Sequence, residues 1–314
     1  MKIETLNHYS KIDLDLFRGK VKKNFPLASM TWFKVGGNAD LFFQPKDLKD
    51  LQNFLKKFNK KIPLFIIGAG SNSLIRDGGI NGIVLHLGKN FSKICIEENC
   101  LIKVGAGQNC IKLARKLAEL GIKGLEFFSG IPGSVGGAVK MNAGAYNSQT
   151  SDRLISISSL DREGNIKKLE AKDFEMKYRK TSFPKDHIFY EALFDCDYGN
   201  KDDLIYQISK LNKIRKETQP IKDNTGGSTF KNPKNYKAWK LIRESGCENF
   251  RVGGAYISKV HSNFIVNDGT ASSNDIEELG EKIRQSVINK FDINLEWEIN
   301  LVGNRKKPRK SCYD

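Results

Sequence analysis

What this chain has little of narrows its function before any motif is read. No apolar run approaches the ~20 residues needed to span a bilayer, so a membrane-spanning helix is not expected. The N-terminal MKIETLNHYSKIDLDLF carries charges every few residues and no apolar core. No signal peptide is read there, and the cytoplasm is the expected compartment. Cysteine is sparse and unpatterned: the six (Cys95, Cys100, Cys110, Cys196, Cys247, Cys312) form no CxxC pair, and reduced thiols are expected over disulfides or zinc. The four histidines, His8, His86, His187 and His261, show no metal-ligand spacing, so no metal site is expected. Acidic residues are also short, 36 against 52 basic, for a net charge of +16. Such a charge attracts nucleic acid, anionic membranes or polyphosphate ligands. The lysines are nevertheless spread over the whole chain, and only Arg305-Lys306-Lys307-Pro308-Arg309-Lys310 forms a block. There is no RNA-binding aromatic signature, helix-turn-helix or zinc-finger pattern, so neither nucleic acid nor membrane is expected as a partner. A basic nucleic-acid-binding protein stands as the alternative from outside the enzymes.

Hydrophobic residues make up 39% and charged residues 28% of the 314, an ordinary globular composition long enough for two or three lobes. Residues 1–87 read as a first lobe. Leu48, Leu51, Leu55 and Phe58 fall at helical spacing, and Ile62–Ile67 and Ile83–Leu87 read as short buried strands. The long polar loop GAGSNSLIRDGGING, from Gly68, lies between those strands, and loops of that length tend to be functional. Residues 88–200 hold strands at 93–97 and 100–105 and a helix over 111–120 ended by Gly121. A hairpin follows, 154–160 with 166–169, then a strand over 188–196. Residues 201–303 open with a helix over 202–217, then a short helix at 238–244 and strands near 255–258 and 264–266. Ser272 and Asp275 form a capping box ahead of a helix carrying Ile276, Leu279, Ile283 and Val287. LEWEINL then alternates, with Leu295, Trp297, Ile299 and Leu301 on one face and Glu296, Glu298 and Asn300 on the other. Residues 304–314 are a basic tail.

The chain is organised around Gly124–Tyr146, GLEFFSGIPGSVGGAVKMNAGAY. A run of ordered glycines provides close backbone approach or positive φ. Ile131-Pro132-Gly133 reads as a turn with Gly133 in the left-handed region. A flat aromatic or a pyrophosphate fits against such a main chain, and so does plain core packing. Two segments, Gly68–Ser73 and Gly105–Cys110, imitate a dinucleotide fingerprint. Both lack its third glycine or alanine, and neither is followed by the acidic residue that holds a ribose. The first still suits an anion nest, with backbone N–H groups joined by Ser71, Asn72 and Ser73. Tyr178–Phe183 is a polar segment centred on Arg179. Gly226–Pro233, GGSTFKNP, sets Ser228 on a glycine turn with no nearby histidine of a hydrolase elbow.

Taken in order, TWFKVGGNADLF, GAGSNSLI, the central stretch, YRKTSF, GGSTFKNP and LEWEINLVG resemble the UDP-N-acetylenolpyruvoylglucosamine reductase family over residues 25–303. The short spacing matches the type without an extra tyrosine-bearing loop. The resemblance implies an α/β (α+β) fold, with a two-lobed FAD-binding unit of the vanillyl-alcohol-oxidase type and a C-terminal α+β substrate domain. It implies non-covalent FAD, NADPH as co-substrate, and a cytoplasmic, monomeric enzyme reducing UDP-N-acetylglucosamine enolpyruvate to UDP-N-acetylmuramate for peptidoglycan. Hydride passes from NADPH to FAD to substrate, and a serine protonates the resulting enolate. Catalytic roles are implied for Arg179, Ser228 and Glu298, and substrate contacts for Tyr178, Arg179, Lys231 and Asn232. Cofactor contacts are implied for Gly68, Ala69, Gly70, Ser71, Asn72, Ser73 and Leu74. Along the central stretch they are Gly130, Ile131, Pro132, Gly133, Ser134, Gly136, Gly137, Asn142, Gly144 and Ala145. The alternative among enzymes is another FAD-dependent oxidoreductase on the same scaffold.

Overall fold

The computed structural model describes residues 13–58 and 60–306. His8, Cys312 and the tail from Lys307 lie outside the described residues. The chain divides into two compact units: one takes the chain up to Lys22, Phe42–Ala69 and Val84–Thr218, the other Lys23–Leu41, Gly70–Ile83 and the chain from Gln219. Strands Lys20–Pro26, Asn38–Gln44, Ile80–Leu85 and Leu64–Ile66 form one four-stranded sheet in that order, and the first three each run across a unit boundary in sequence.

The first unit is built on helices α1 (Leu48–Lys57), α2 (Cys110–Glu119), α3 (Val135–Met141) and α4 (Lys201–Thr218). Of the expected apolar stripe Leu51, Leu55 and Phe58 are buried and Leu48 is half-buried; Phe54, outside that stripe, is buried too and stacks on Phe43 with ring centroids 3.9 Å apart. Asp47 caps α1, accepting from the Asp50 N–H, which satisfies a donor that no helical carbonyl reaches. Strands Ile166–Glu170, Leu154–Leu160, Ile188–Asp195, Leu101–Gly105 and Ile94–Ile96 make an antiparallel sheet in that order. The hairpin read from the sequence is its first pair, with Leu160 opposite Ile166. α2 is capped by the Asn109 side chain, which accepts from Lys112 N–H at 3.0 Å, and it buries Leu113, Ala114, Leu117 and Ala118.

The second unit has an antiparallel sheet in the order Asn224–Thr225, Ile265–Asn267, Ala255–Ile257, Arg251–Val252. Helices α5 (Ala238–Glu244) and α6 (Ser273–Phe291) share its core. Ile276, Leu279, Ile283 and Val287 of α6 are buried there beside Phe33, Leu74, Phe230 and Ile265. The capping box is formed as expected: Ser272 Oγ accepts from Asp275 N–H, and the Asp275 carboxylate from Ser272 N–H. Among the described residues no helix is long and apolar enough to cross a membrane.

Four local expectations are corrected. Ile62–Ile67 pairs only over Leu64–Ile66, and it is the edge strand of its sheet; Ile66 is therefore 39% exposed rather than buried. The loop from Gly68 contains a strand, Ser73–Ile75, which pairs in parallel with Asn300–Val302. That pairing also shortens the expected LEWEINL strand, of which only Asn300–Val302 is regular while Trp297 makes a single bridge to Phe230. The alternation survives as packing, since Leu295 and Ile299 are buried and Glu296 is exposed. Finally, Gly133 is not among the glycines with positive φ. The turn closes one residue tighter, Gly133 N–H donating to Ile131 O at 2.9 Å around Pro132, as an inverse γ-turn does.

Candidate active site

In the first unit the central stretch folds as a loop and a short helix rather than as extended chain. Ser134 caps α3, its Oγ accepting from Gly137 N–H at 3.3 Å, and Asn142 ends the helix in the left-handed region at φ 43°. Gly68 lies against this cap: a Cβ built on Gly68 would sit 2.6 Å from Ser134 Oγ. The start of the first glycine loop and the start of α3 are thus neighbours, which their separation in sequence conceals. Gly136 is packed, since an added Cβ would lie 3.0 Å from the Ala106 Cβ and carbonyl oxygen. Gly137 is exposed, and an added Cβ there would meet only Ser134 Oγ, at 3.5 Å. Ser129 is fully buried, with its Oγ unpartnered, a state that buried hydroxyls seldom keep without a ligand or water.

Arg179 sits at the tip of a two-residue hairpin, Met176–Lys177 with Lys180–Thr181, at φ 55°. Three bonds tie this hairpin to the end of the central stretch. Arg179 Nη2 donates to Gly144 O at 3.0 Å, Thr181 Oγ1 to Lys140 O at 2.9 Å, and Asn142 Nδ2 to Lys177 O at 3.2 Å. The guanidinium carbon lies 5.0 Å from the ring centroid of Tyr178, which is 48% exposed. Asn142 is fully buried, and its Oδ1 also accepts from Ser151 N–H at 2.9 Å. Its side chain faces the protein and holds the arginine hairpin. Burial pushes the Lys140 ammonium below its ordinary value, and Lys185 nearby pushes the same way.

In the second unit, Gly70 takes φ 66°, and a Cβ there would collide with the Met30 carbonyl. Asn72 donates through Nδ2 to the Glu298 carbonyl at 3.0 Å, and its own carbonyl accepts from Asn300 N–H. Leu74 is fully buried in the core, so only its main chain is open to a ligand. Ser228 follows Gly227, which has φ 84° and open space around it. The Glu298 N–H donates to Thr229 O at 2.9 Å, and Lys231 N–H to Glu296 O at 2.8 Å. The Ser228 and Glu298 segments therefore run side by side. Lys231 Nζ pairs with the exposed Glu296 carboxylate at 3.1 Å, while Glu298 is half-buried. Asn232 Oδ1 accepts from Ala238 N–H at 3.0 Å and so starts α5. Reading the sequence missed Asn263, which clamps the segment carrying Thr229 and Phe230; nothing local in VHSNF signals it.

These features define a class before they define a family. A family model for an FAD-binding domain matches residues 39–170. The fold is similar to that of 6-hydroxy-D-nicotine oxidase from Arthrobacter nicotinovorans, with a TM-score of 0.56 at 12% identity over 92% of this chain and 91% of that one. The class is that of FAD-binding oxidoreductase folds. The C-terminal domain model of UDP-N-acetylenolpyruvoylglucosamine reductase matches residues 219–302. The reductase of that name from Rickettsia typhi is 45% identical over 292 residues, 92% of this chain and 98% of the relative. That from Parvibaculum lavamentivorans is 44% identical over 290 residues, 92% and 93% of the two chains. The crystal structure of the reductase from Thermus caldophilus has a TM-score of 0.78 at 31% identity, covering 90% of this chain and 98% of that one. The chain belongs to the UDP-N-acetylenolpyruvoylglucosamine reductase family.

Proposed function

We infer that this chain is a cytoplasmic, monomeric flavoenzyme that reduces UDP-N-acetylglucosamine enolpyruvate to UDP-N-acetylmuramate with NADPH, for peptidoglycan precursor synthesis. The observation that carries the reading is the backbone bond from Glu298 N–H to Thr229 O, which sets a serine hydroxyl and a carboxyl on adjoining segments. In this reading residues 1–87 and 88–200 hold the cofactor and residues 201–303 the substrate.

The residues present fit FAD. The unpartnered Ser129 Oγ and the open, exposed main chain at Gly137 supply a donor and a surface that core packing leaves unused. The Gly68–Ser73 loop would hold the pyrophosphate through N–H and hydroxyl groups, and no histidine or cysteine in it or in the central stretch is set to attach the ring. When bound, FAD supplies a two-electron carrier that takes hydride from NADPH and returns it to the alkene.

The protein's own part is electrostatic and acid–base. Hydride addition at the terminal alkene carbon leaves the electron pair on the neighbouring carbon, delocalised into the carboxylate. Arg179, fixed by Gly144 O, would meet that charge with its guanidinium. The Glu298 carboxyl shares the same load. Ser228 Oγ–H delivers a proton to the carbon that carries the electron pair, and the alkoxide is relieved from water or a neighbour. Substrate contacts in this reading fall to Tyr178, Lys231 and Asn232. The test is NADPH oxidation by the yellow holoprotein with and without UDP-N-acetylglucosamine enolpyruvate. Turnover that depends on this substrate is expected; oxidation unaffected by it would place the chain among other FAD oxidoreductases.

A further inference from the structure

The segment that follows Ser228 is gripped from two sides. On one side Thr229 O accepts from Glu298 N–H at 2.9 Å. On the other stands Asn263, a residue only 4% exposed. Its carbonyl accepts from Thr229 N–H at 2.8 Å. Its side chain spans the next peptide: Oδ1 accepts from Phe230 N–H at 3.0 Å, and Nδ2 donates to Phe230 O at 2.8 Å. The Thr229 hydroxyl accepts from Ile265 N–H at 3.3 Å on the same side. Thr229 and Phe230 are each 1% exposed, so water cannot replace these partners cheaply. Asn263 is itself set by His261, whose Nδ1 accepts from Asn263 N–H at 3.2 Å.

We propose that Asn263 is a positioning residue for Ser228, fixing through the Thr229–Phe230 backbone the line along which the serine hydroxyl delivers its proton. The inference rests on the reading of Ser228 as proton donor. Ser228 lies one residue before the clamped pair, and on its other side Gly227 takes φ 84° with nothing within 4 Å of an added Cβ, while Gly226 before it packs on the Phe33 ring. No side chain packs on Gly227 itself, whereas Thr229 is held on both sides, so the direction of the hydroxyl is set chiefly from Thr229 onward. Remove the carboxamide and two buried main-chain groups of Phe230 lose their partners. The segment then shifts to relieve them, and a displacement of ~1 Å at a reacting group costs about 10²-fold.

The test is a double-mutant cycle read in separate half-reactions by stopped-flow absorbance of the flavin. Asn263→Ala is expected to leave flavin reduction by NADPH unchanged and to slow reoxidation by the enolpyruvyl substrate about 10²-fold, with the KM for that substrate little altered. In a Ser228→Ala background the same substitution is expected to cost nothing further, because its effect passes through the missing hydroxyl. Equal slowing of both half-reactions, or a further loss in the Ser228→Ala background, would make Asn263 a plain structural residue and overturn the proposal. If Ser228→Ala itself leaves reoxidation unchanged, the proton-donor reading fails first, and visibly so. Should the alanine variant not fold, the neutral Asn263→Ser, too short to bond both main-chain groups of Phe230, carries the same comparison. Loss confined to reoxidation supports the proposal, and loss in neither or both half-reactions refutes it.

Discussion

Two adjacent glycines, Gly136 and Gly137, have different surroundings, and a valine at each separates packing from cofactor binding. At Gly136 the first added carbon already stands 3.0 Å from Ala106 main-chain and side-chain atoms, so Gly136→Val overpacks the α3 contact. It should lower stability by about 1–3 kcal/mol, seen as a fall in Tm. At Gly137 the protein offers no such obstacle, the nearest atom being Ser134 Oγ at 3.5 Å. Gly137→Val should therefore fold with an unchanged circular dichroism spectrum, yet purify colourless, because the branched side chain takes the space assigned to FAD. Normal flavin content in that variant would reduce the stretch to ordinary packing. At Ser228 the expected loss is chemical. Ser228→Ala should leave flavin reduction nearly unchanged and slow reoxidation by ~10²–10⁴-fold, the usual worth of a general acid. Ser228→Cys, still able to donate a proton, should recover part of the rate. Comparable slowing of both halves would make Ser228 a support for the site.

Among the elements, the arginine hairpin over 176–181 depends most on a distant partner. It has only two residue pairs of its own, too few to be stable unaided, and the end of α3 holds it through Asn142, Lys140 and Gly144. Asn142→Gly and Asn142→Ala divide this dependence. Both remove the buried amide, at a cost of about 1–3 kcal/mol. Only alanine also suffers in the left-handed conformation at φ 43°, so it should have the lower Tm of the two. Both should raise the KM for the enolpyruvyl sugar as Arg179 loosens; an unchanged KM in a folded Asn142→Gly would disconnect hairpin and substrate. This element also marks the limit of what could be read from the sequence. Features closed within a few residues were legible: the Ser272–Asp275 box, the 154–169 hairpin, and the apolar stripes of α1 and α6. Order and type of motifs carried the family. The clamps were not legible, because Asn142, Asn72 and Asn263 act on partners 35, 226 and 33 residues away, and an asparagine looks the same in a loop as in a core. LEWEINL misled for a related reason. Its alternation reports burial, but its regular pairing is set by Ser73–Ile75, far upstream.

At the scale of the whole molecule the excess of base over acid should make acid the weaker side of its stability range. Two effects act there, and they respond differently to salt. Protonating carboxylates raises a charge already at +16, and the added self-repulsion is screened as the Debye length falls from about 8 Å at physiological salt to about 3 Å at 1 M. The second effect is local. Glu277, 7% exposed on α6, accepts from Arg76 Nε at 2.8 Å and from Arg305 Nη2 at 2.7 Å, joining two segments far apart in sequence. The Arg76 hydrogen bond, ahead of that from Arg305, holds the Glu277 carboxyl below its ordinary value. A depressed folded value means that its contribution is complete above the unfolded glutamate value of ~4.3 and is lost as pH falls below that, through the folded value. Because Glu277 is buried and Arg76 only partly exposed, salt screens that pair less than it screens the surface charges. Wild-type protein should lose Tm below about pH 4.3, and added salt should restore only part of the loss. Glu277→Gln should be less stable at neutral pH by about 1–3 kcal/mol, the worth of hydrogen bonds to a charged group. Its acid slope in high salt should be flatter than that of wild type, since the titrating carboxylate is gone. Thermal melts of both proteins across pH, at low and high salt, separate the two effects. Parallel acid slopes at high salt would mean that Glu277 does not titrate in the unfolding transition and that self-repulsion alone sets the acid limit.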